Sequence, residues 1–301
     1  MKHLLQLFNE LSLHPKNTEE LKGLIIRLAL RGELSVKWRN EHPNIEHASK
    51  LYNRISKNKQ SLINRRKLKL RKVSEINVNE DMKYTIPSSW EWYKFSDVVF
   101  IQEGPGIRKW QYRESGVKLL NVKNIVGDKL ILDNTDKHVE RKEFDQKYQH
   151  FKVEEGDLLF ASSGGSWGKS AWFENPGYDV MLNTSMIRMC FYGKDWFPEY
   201  LKTFISSGFF VDQMSKQLVG MQPNFGSTHL SRIYIPIPPL QEQKVIVSIV
   251  EKLFTEVEQL EQKTVDSIQL KKDYAVSALQ NLAQADDVVK TWQDIQPHFK
   301  T

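Results

Sequence analysis

The segment Gly156-Asp-Leu-Leu-Phe-Ala-Ser-Ser-Gly-Gly-Ser-Trp-Gly-Lys-Ser170 decides between two fold classes. A phosphate-binding P-loop needs the spacing G-x-x-x-x-G-K-[ST] between a strand and a helix, where backbone N–H groups bind phosphate. The end of this motif is present as Gly168-Lys169-Ser170, but Ser163 stands where its first glycine is required. The residues that follow are aromatic and then turn at Pro176-Gly177, so they do not start a helix. The segment therefore predicts a strand, a Gly/Ser turn and a second strand, and it disfavours nucleotide hydrolysis.

Short runs of the same β type continue on both sides of this segment. They are rich in apolar or β-branched residues and are separated by turns containing Gly, Asn or Pro. The predicted strands are residues 98–102, 118–122, 129–132, 157–160, 185–191 and 233–237. One helix is predicted over residues 198–217. We therefore predict an α+β fold with one globular mixed α/β domain over residues 84–239.

Helices are predicted before and after this domain. Residues 1–83 form an N-terminal helical region with a basic linker, in which Leu21, Ile25 and Leu28 recur at helical spacing and Gly32 is a C-cap signal. After the prolines of residues 235–240, a long coiled-coil-type helix is predicted over residues 240–285, followed by a tail over 286–301. Its a/d positions are Ile246, Val250, Leu253, Val257 and Leu260. After Leu260 the phase shifts to a second stripe through Ile268, Ala275, Leu279 and Leu282.

Composition describes an ordinary cytoplasmic protein. Of the 301 residues, 40% are hydrophobic and 27% charged, and the net charge is +6, which weakly favours a polyanionic partner. The single cysteine, Cys190, excludes an internal disulfide and fits a reducing compartment. We expect no signal peptide and no membrane association, because the most apolar helical stretch, residues 24–30, is too short to span a bilayer. Residues 54–72 contain nine Lys/Arg and no acid, which indicates either a solvated helix face or contact with a nucleic-acid backbone or an acidic partner.

Six short motifs along the chain occur in an order that is characteristic of one protein family. These motifs are Leu28-Ala-Leu-Arg-Gly-Glu-Leu34, Trp90-Glu-Trp92, Val153-Glu-Glu-Gly-Asp-Leu-Leu-Phe160, Leu182-Asn-Thr-Ser185, Met221-Gln-Pro-Asn224 and Ile235-Pro-Ile-Pro-Pro-Leu-Gln-Glu-Gln243. In this order they resemble the first half of the specificity subunit of type I restriction–modification systems. The resemblance covers nearly the whole chain.

The resemblance implies a non-catalytic subunit that recognises DNA. In that family a target recognition domain reads one half of a bipartite site in double-stranded DNA, and long helices act as spacer and dock methyltransferase subunits. The restriction/translocase subunit then joins through the complex. The chain itself is expected to carry no cofactor, whereas S-adenosylmethionine, and ATP with magnesium, are expected in the partner subunits. Because family members usually have two recognition domains, this chain with one is either a truncated first half, which the ending over residues 289–301 favours, or a half-subunit that pairs with itself.

Three polar clusters supply side chains suited to DNA. Guanidinium, amide and hydroxyl groups can reach base edges, while cations hold phosphates. The candidates are Arg108, Lys109, Gln111, Tyr112 and Arg113 in a first loop, Lys123, then Ser162, Ser163, Ser166, Trp167 and Lys169 in a second loop, and Gln222 and Asn224 in a third. Each cluster has a structural alternative: the first is a solvated hairpin tip, Trp167 caps the core, and Gln222 and Asn224 satisfy turns.

Catalytic and metal signatures are not found in the sequence. An amino-methyltransferase would need Asn/Asp-Pro-Pro-aromatic, and residues 237–240 lack both functional ends. No glycine loop for S-adenosylmethionine follows an early strand, and the eight histidines lack metal-ligand spacing. The rival interpretation is a coiled-coil scaffold whose α+β domain binds another protein, which would show no steep salt dependence of DNA binding. In the restriction-system interpretation, Ile246, Val250, Leu253, Val257 and Leu260 are the predicted partner-docking residues.

Overall fold

The computed structural model of the chain describes residues 17–66, 83–193, 195–217 and 225–296. The first helices are α1 (Thr18–Leu30), α2 (Val36–Glu41) and α3 (Ala48–Arg66). α1 ends as its sequence predicts, because Gly32 has a φ of +71° and the N–H groups of Gly32 and Glu33 donate to the carbonyls of Ala29 and Leu28. A Cβ at residue 32 would lie 2.6 Å from Pro87 Cγ, so close packing also requires glycine there.

The middle of the chain alternates short strands with short helices. The strands are β1 (Glu91–Lys94), β2 (Val99–Glu103), β3 (Val117–Leu120), β4 (Ile125–Val126), β5 (Lys129–Leu130), β6 (His138–Val139), β7 (Leu158–Ala161), β8 (Ser170–Trp172), β9 (Val180–Leu182), β10 (Met186–Phe191) and β11 (Tyr234–Ile237). The helices between them are α4 (Phe95–Val98), α5 (Arg141–Glu143), α6 (Pro198–Ile205), α7 (Gly208–Ser215) and α8 (Ser227–Leu230). Two further helices follow, α9 (Leu240–Ala283) and α10 (Val288–Ile295).

Two sheets form the core of the middle region. The larger has the order β2-β10-β7-β8 and is antiparallel throughout, and the smaller has the order β6-β3-β9, in which β3 and β9 are parallel. β1 pairs with β11, which brings the two ends of the predicted globular domain together, and β4 pairs with β5. Buried apolar side chains from both larger sheets, such as Leu159 and Leu182, share one cluster. The predicted α+β fold class is confirmed.

One predicted helix is wrong in its length. Residues 198–217 form α6 and α7 rather than one helix, because Ser207 interrupts them. Its hydroxyl donates to the carbonyl of Phe204 at 2.6 Å and accepts from the N–H of Phe210 at 3.0 Å. A serine N-cap of this kind starts a new helix in preference to continuing the old one.

The chain divides into two compact units, one of residues 26–249 and the other of residues 1–25 with 250–301. The helix predicted over 240–285 is found as α9, and α10 lies within the predicted tail. In the described residues, no helix is both long and apolar enough to cross a membrane.

The predicted docking role of the first a/d stripe of α9 requires a correction. Ile246, Val250, Leu253 and Val257 are buried within this chain, and Leu260 is half-buried. α1 contacts this stretch, since Lys22 Nζ lies 2.8 Å from Glu258 Oε1. These residues are therefore core positions and not an open docking face. The second predicted stripe is different, because Ile268 and Leu279 are exposed.

A buried carboxylate joins the start of α9 to distant parts of the chain. Glu242 is fully buried and accepts hydrogen bonds from Ser35 Oγ at 2.7 Å, from Trp90 Nε1 at 2.8 Å and from Arg39 Nη1. The adjacent Gln243, also buried, accepts from the N–H of Phe197 and donates to the carbonyl of Pro238. The residues that end the 235–243 motif thus fix the start of α9 to α2, to Trp90 and to the residue that precedes α6.

A second buried ion pair connects β7 with β10. Asp157 and Arg188 are both almost inaccessible to solvent, and Arg188 Nη1 lies 3.3 Å from Asp157 Oδ2. Asp157 also accepts from the N–H of Glu154, and Arg188 donates to the carbonyl of His150. Because each charge has several partners, the pair can exist inside the core.

We predict that Glu242→Gln lowers the free energy of unfolding by about 3 kcal/mol or more, because removing one member of a buried ion pair leaves the other charge uncompensated. Urea unfolding of the full chain measures this change. The control is Asp128→Asn, which breaks an exposed pair with Lys202 and should cost less than about 1 kcal/mol. Equal effects of the two substitutions would contradict the role of Glu242.

Candidate nucleic-acid interface

One end of the four-stranded sheet gathers several predicted loops. Because β10 is antiparallel to β2 and β7, the end of β2, the start of β10 and the end of β7 lie side by side. β3 and β9 are parallel, with Leu120 opposite Leu182, so the residues after β3 reach the same end. We define the loop edge as residues 103–106, 121–124, 161–170 and 183–186.

Backbone contacts hold the loop edge together. The N–H of Gly104 donates to the carbonyl of Met186 at 2.9 Å, and that of Ser162 donates to Ser185 at 3.0 Å. A Cβ at residue 104 would lie 2.1 Å from the carbonyl oxygen of Asn183, so only glycine permits this close approach. Thr184 Oγ1 donates to the carbonyl of Pro105 at 2.9 Å. The loops are therefore fixed relative to one another by the main chain.

The predicted strand–turn–strand around residues 162–169 is confirmed. The N–H of Ala161 donates to the carbonyl of Lys169, and the N–H of Gly168 donates to that of Ala161, which closes the turn between β7 and β8. Lys169 is exposed and Ser163 is partly exposed, whereas Ser162 is buried. The side chain of Ser166 lies outside the described part of the structure.

Within the loop edge, Trp167 packs against Phe225 and does not project into solvent. Its ring centroid lies 4.9 Å from that of Phe225, and the side chain is partly buried. This contact favours the interpretation of Trp167 as a cap on the core. The N–H of Phe225 donates to the carbonyl of Ser162, so residue 225 also reaches the loop edge. Gln222 and Asn224 lie outside the described residues.

The 108–113 segment forms a tight turn after β2. Residues Lys109–Gln111 make one 3-10 turn, and Gln111 points inward with only 4% of its surface exposed. Its side chain accepts from the N–H of Arg108 at 2.9 Å and donates to Glu143 Oε1 and Tyr148 Oη. The amide of Gln111 is thus engaged inside the protein, and the residue holds the turn in place.

The other predicted residues of this turn lie at the surface. Arg108, Lys109 and Arg113 are exposed, and Tyr112 is half-buried with Lys137 Nζ 4.5 Å from its ring centroid. Arg113 donates from Nη1 to the carbonyls of Trp110 and Tyr112. The backbone of Arg113 pairs with His138 on the outer side of β6.

Lys123 is exposed on a rigid support at the loop edge. It lies in the 3-10 turn Val122–Asn124, and the buried Asn124 beside it donates to the carbonyls of Ile131 and Leu132. Asn124 Oδ1 also accepts from the N–H of Asn121. This network fixes the position of the Lys123 backbone while its side chain stays in solvent.

In the part of the chain that the structure describes, the exposed cations of the loop edge and of the 108–113 turn are unpaired, whereas cations at the end of the sheets opposite the loop edge are paired. Among the described residues, none of the five exposed cations Arg108, Lys109, Arg113, Lys123 and Lys169 has a carboxylate within ion-pair distance. At the opposite end, Asp179 before β9 binds Lys152 at 2.5 Å and Arg141 at 2.6 Å. The hydrogen bond from Lys152, together with that from Arg141, lowers the pKa of Asp179 below its ordinary value. Its contribution to stability is present at neutral pH and is lost as the pH falls through the lowered pKa.

The basic run of residues 54–72 is partly neutralised where it is described. Arg54 pairs with Glu46 and with Asp195, and Lys59 Nζ lies 3.6 Å from Asp97 Oδ1. Residues 67–72 lie outside the described part. The described cations of α3 therefore make a weaker candidate interface than the loop edge.

One surface residue was missed by the sequence analysis. The side chain of Trp110 is 73% exposed at the tip of the 3-10 turn, next to the buried Gln111. The flanking Arg108 and Lys109 are the only sequence signal that could have indicated it, because adjacent residues of an irregular turn carry no periodicity.

Comparisons with known proteins find that the sequence of this chain is similar to one family. The family model described as type I restriction modification DNA specificity domain matches residues 87–270. The chain is 24% identical over 294 residues to the type I restriction enzyme EcoAI specificity subunit of Escherichia coli, which covers 94% of this chain and 48% of that protein. It is 28% identical over 165 residues to the MjaVIII specificity subunit of Methanocaldococcus jannaschii, covering 54% of this chain and 38% of that protein. The chain thus spans about half the length of the Escherichia coli relative, and its match covers a smaller share of the Methanocaldococcus jannaschii relative.

A solved structure, the HsdS subunit from Thermoanaerobacter tengcongensis, also matches. It aligns with 83% of this chain and 52% of its own, at 15% identity and a TM-score of 0.43.

We predict that Gln111→Ala loosens the 108–113 turn, because three hydrogen bonds of a buried amide are lost. Hydrogen exchange of the backbone amides over residues 108–113 should become faster by about tenfold, as expected for a buried group left unsatisfied. Lys109→Ala, which removes an exposed side chain from the same turn, is the control and should leave these rates unchanged. Identical exchange in both variants would contradict the role of Gln111.

Proposed function

This chain belongs to the family of type I restriction modification DNA specificity domains, and on that premise we propose that it recognises double-stranded DNA through the loop edge and the 108–113 turn. The observation that carries the proposal is the convergence of exposed cations and hydrogen-bonding side chains on loops that a rigid sheet positions. Such loops are where binding residues are usually found. Cations alone would bind any polyanion, whereas the neighbouring hydroxyl and guanidinium groups can distinguish bases.

The two parts of the interface have different roles in this proposal. Lys123 and Lys169 are point charges on fixed turns, which suits contact with phosphates. Arg108 and Arg113 have planar guanidinium groups that can form two hydrogen bonds to guanine. Ser163 is partly exposed and offers a hydroxyl of the loop edge to a base or a phosphate.

We further propose that the chain reads one half of a bipartite site. It has one mixed α/β domain and covers 48% of the Escherichia coli relative. A second recognition domain, in a longer chain or in a second copy, would read the other half.

The chain acts without catalysis in this proposal. Methyl transfer and DNA cleavage would belong to methyltransferase and restriction/translocase subunits, which would hold S-adenosylmethionine, and ATP with magnesium. The sequence supports this division of labour, because it lacks the Asn/Asp-Pro-Pro-aromatic motif and a glycine loop for S-adenosylmethionine.

The surface proposed for a methyltransferase subunit is the second stripe of α9. Its members Ile268 and Leu279 are exposed, and so is Val265, which precedes the stripe. Because successive residues of an α-helix are about 100° apart, these three side chains lie within about one quarter of the helix circumference. Apolar side chains in a row on a helix face favour contact with another protein. This stripe replaces the first one, in which four residues are buried and Leu260 is half-buried.

We predict that DNA affinity falls with salt and that Lys123→Ala and Lys169→Ala each lower the slope of log affinity against log salt by about 1, the value for one phosphate contact. Fluorescence anisotropy of a labelled duplex with the full chain measures the slope. Lys271→Ala, an exposed lysine on α9, is the control and should leave it unchanged. Binding that does not depend on salt, or no binding, would contradict DNA recognition and favour a protein-binding scaffold.

We predict that the double variant Ile268→Asp/Leu279→Asp no longer co-purifies with a co-expressed methyltransferase subunit. The dependence of its DNA affinity on salt should equal that of the unmodified chain. Ser277→Asp is the control. Ser277 follows Ile268 by nine residues, and at about 100° per residue it therefore lies on the opposite face of α9. Retention of the methyltransferase subunit by the double variant would exclude this stripe as the docking surface.

A further inference from the structure

The side chain of Trp110 is exposed to solvent to an extent that the packing of this chain does not explain. All eight tryptophans lie in the described residues, and Trp110 is the most exposed at 73%, followed by Trp292 at 44%. Trp90 and Trp196, by contrast, are nearly fully buried. An aromatic ring in solvent contributes nothing to the core, so its free energy of burial remains available for a partner.

The indole is held outward by contacts on both sides. Ile107 before the turn is 7% exposed and packs in the cluster with Val117 and Phe144. Gln111 after it is anchored by three hydrogen bonds, and Arg113 Nη1 donates to the carbonyl of Trp110 at 2.9 Å. Little backbone entropy is left to lose when Trp110 binds, which is the property of a preorganised contact residue.

The charges around Trp110 match a polyanion. Arg108, Lys109 and Arg113 are exposed within three residues of it, and the acid Glu114 follows. The segment 108–114 therefore has a net charge of +2, from three cations and one carboxylate. An apolar ring between cations can meet stacked bases while the cations hold the phosphates on either side.

We propose that Trp110 is an apolar wedge that this chain inserts against the stacked bases of its DNA site. The inference rests on the proposed DNA recognition and adds a specificity determinant to it. Partial unstacking costs least at flexible pyrimidine–purine steps such as TA and CA. The wedge would therefore give a preference for such a step beneath the 108–113 turn without a hydrogen bond to a base.

The test uses the full chain and a duplex selected by it from a random library. A set of such duplexes carries one 2-aminopurine each, moved stepwise along the bound sequence, because this base becomes more fluorescent when it is unstacked. The variants are Trp110→Ala and Trp110→Phe. Tyr178→Ala is the control, since Tyr178 is an exposed aromatic residue at the opposite end of β8 and β9.

We expect Trp110→Ala to weaken binding by about tenfold or more, as for loss of one stacked base, with an unchanged salt slope. Trp110→Phe should retain most of the affinity, and Tyr178→Ala all of it. The unmodified chain should raise 2-aminopurine fluorescence at one step, and Trp110→Ala should abolish that rise.

Two results would overturn the wedge. One is undiminished affinity of Trp110→Ala for the duplex. The other is weaker binding with no unstacked position in any duplex. Failure of the unmodified chain to bind any duplex would instead refute the proposed function itself.

Discussion

The buried carboxylate of Glu242 is the interaction on which the arrangement of residues 26–249 depends. It accepts hydrogen bonds from Ser35, Arg39 and Trp90, which belong to segments far apart in the sequence. A fully buried charge is tolerated only when its partners are all in place. The start of α9, helix α2 and the residue that precedes β1 are therefore fixed together by one group. Because β1 pairs with β11, the same group also stabilises the closure of the mixed α/β domain.

The ends of the strands position the segments of the loop edge. The antiparallel pairing of β10 with β2 and β7, and the parallel pairing of β3 with β9, bring four chain segments to one edge. Asn124 and Gln111 then fix individual turns from beneath with their amides. Lys123 and Lys169 remain exposed in solvent at this edge, whereas Asp179 at the opposite end of the sheets is paired with Lys152 and Arg141. A rigid support with exposed polar side chains suits a protein that must distinguish DNA sequences.

Local patterns in the sequence predicted local structure well. The departure from the P-loop spacing predicted the turn between β7 and β8, and the heptad spacing predicted α9. Long-range features could not be derived in this way. β9 has three residues, too few for a periodic signal, and the donors to Glu242 lie more than 150 residues before it. The a/d residues of α9 illustrate the same limit, because spacing shows that a stripe is apolar but not whether it packs inside the chain. Within the 108–113 turn, burial of Gln111 and exposure of Trp110 depend on Glu143 and Tyr148, which only the fold brings near.

The location of the interface can be measured directly by ultraviolet cross-linking of a bound duplex to the full chain, with mass spectrometry of the linked peptides. DNA recognition by the loop edge and the adjacent turn predicts links within residues 104–113, 121–124, 161–170 and 183–186. Links confined to α3 or to α9 would contradict it and would place the DNA on the helices instead.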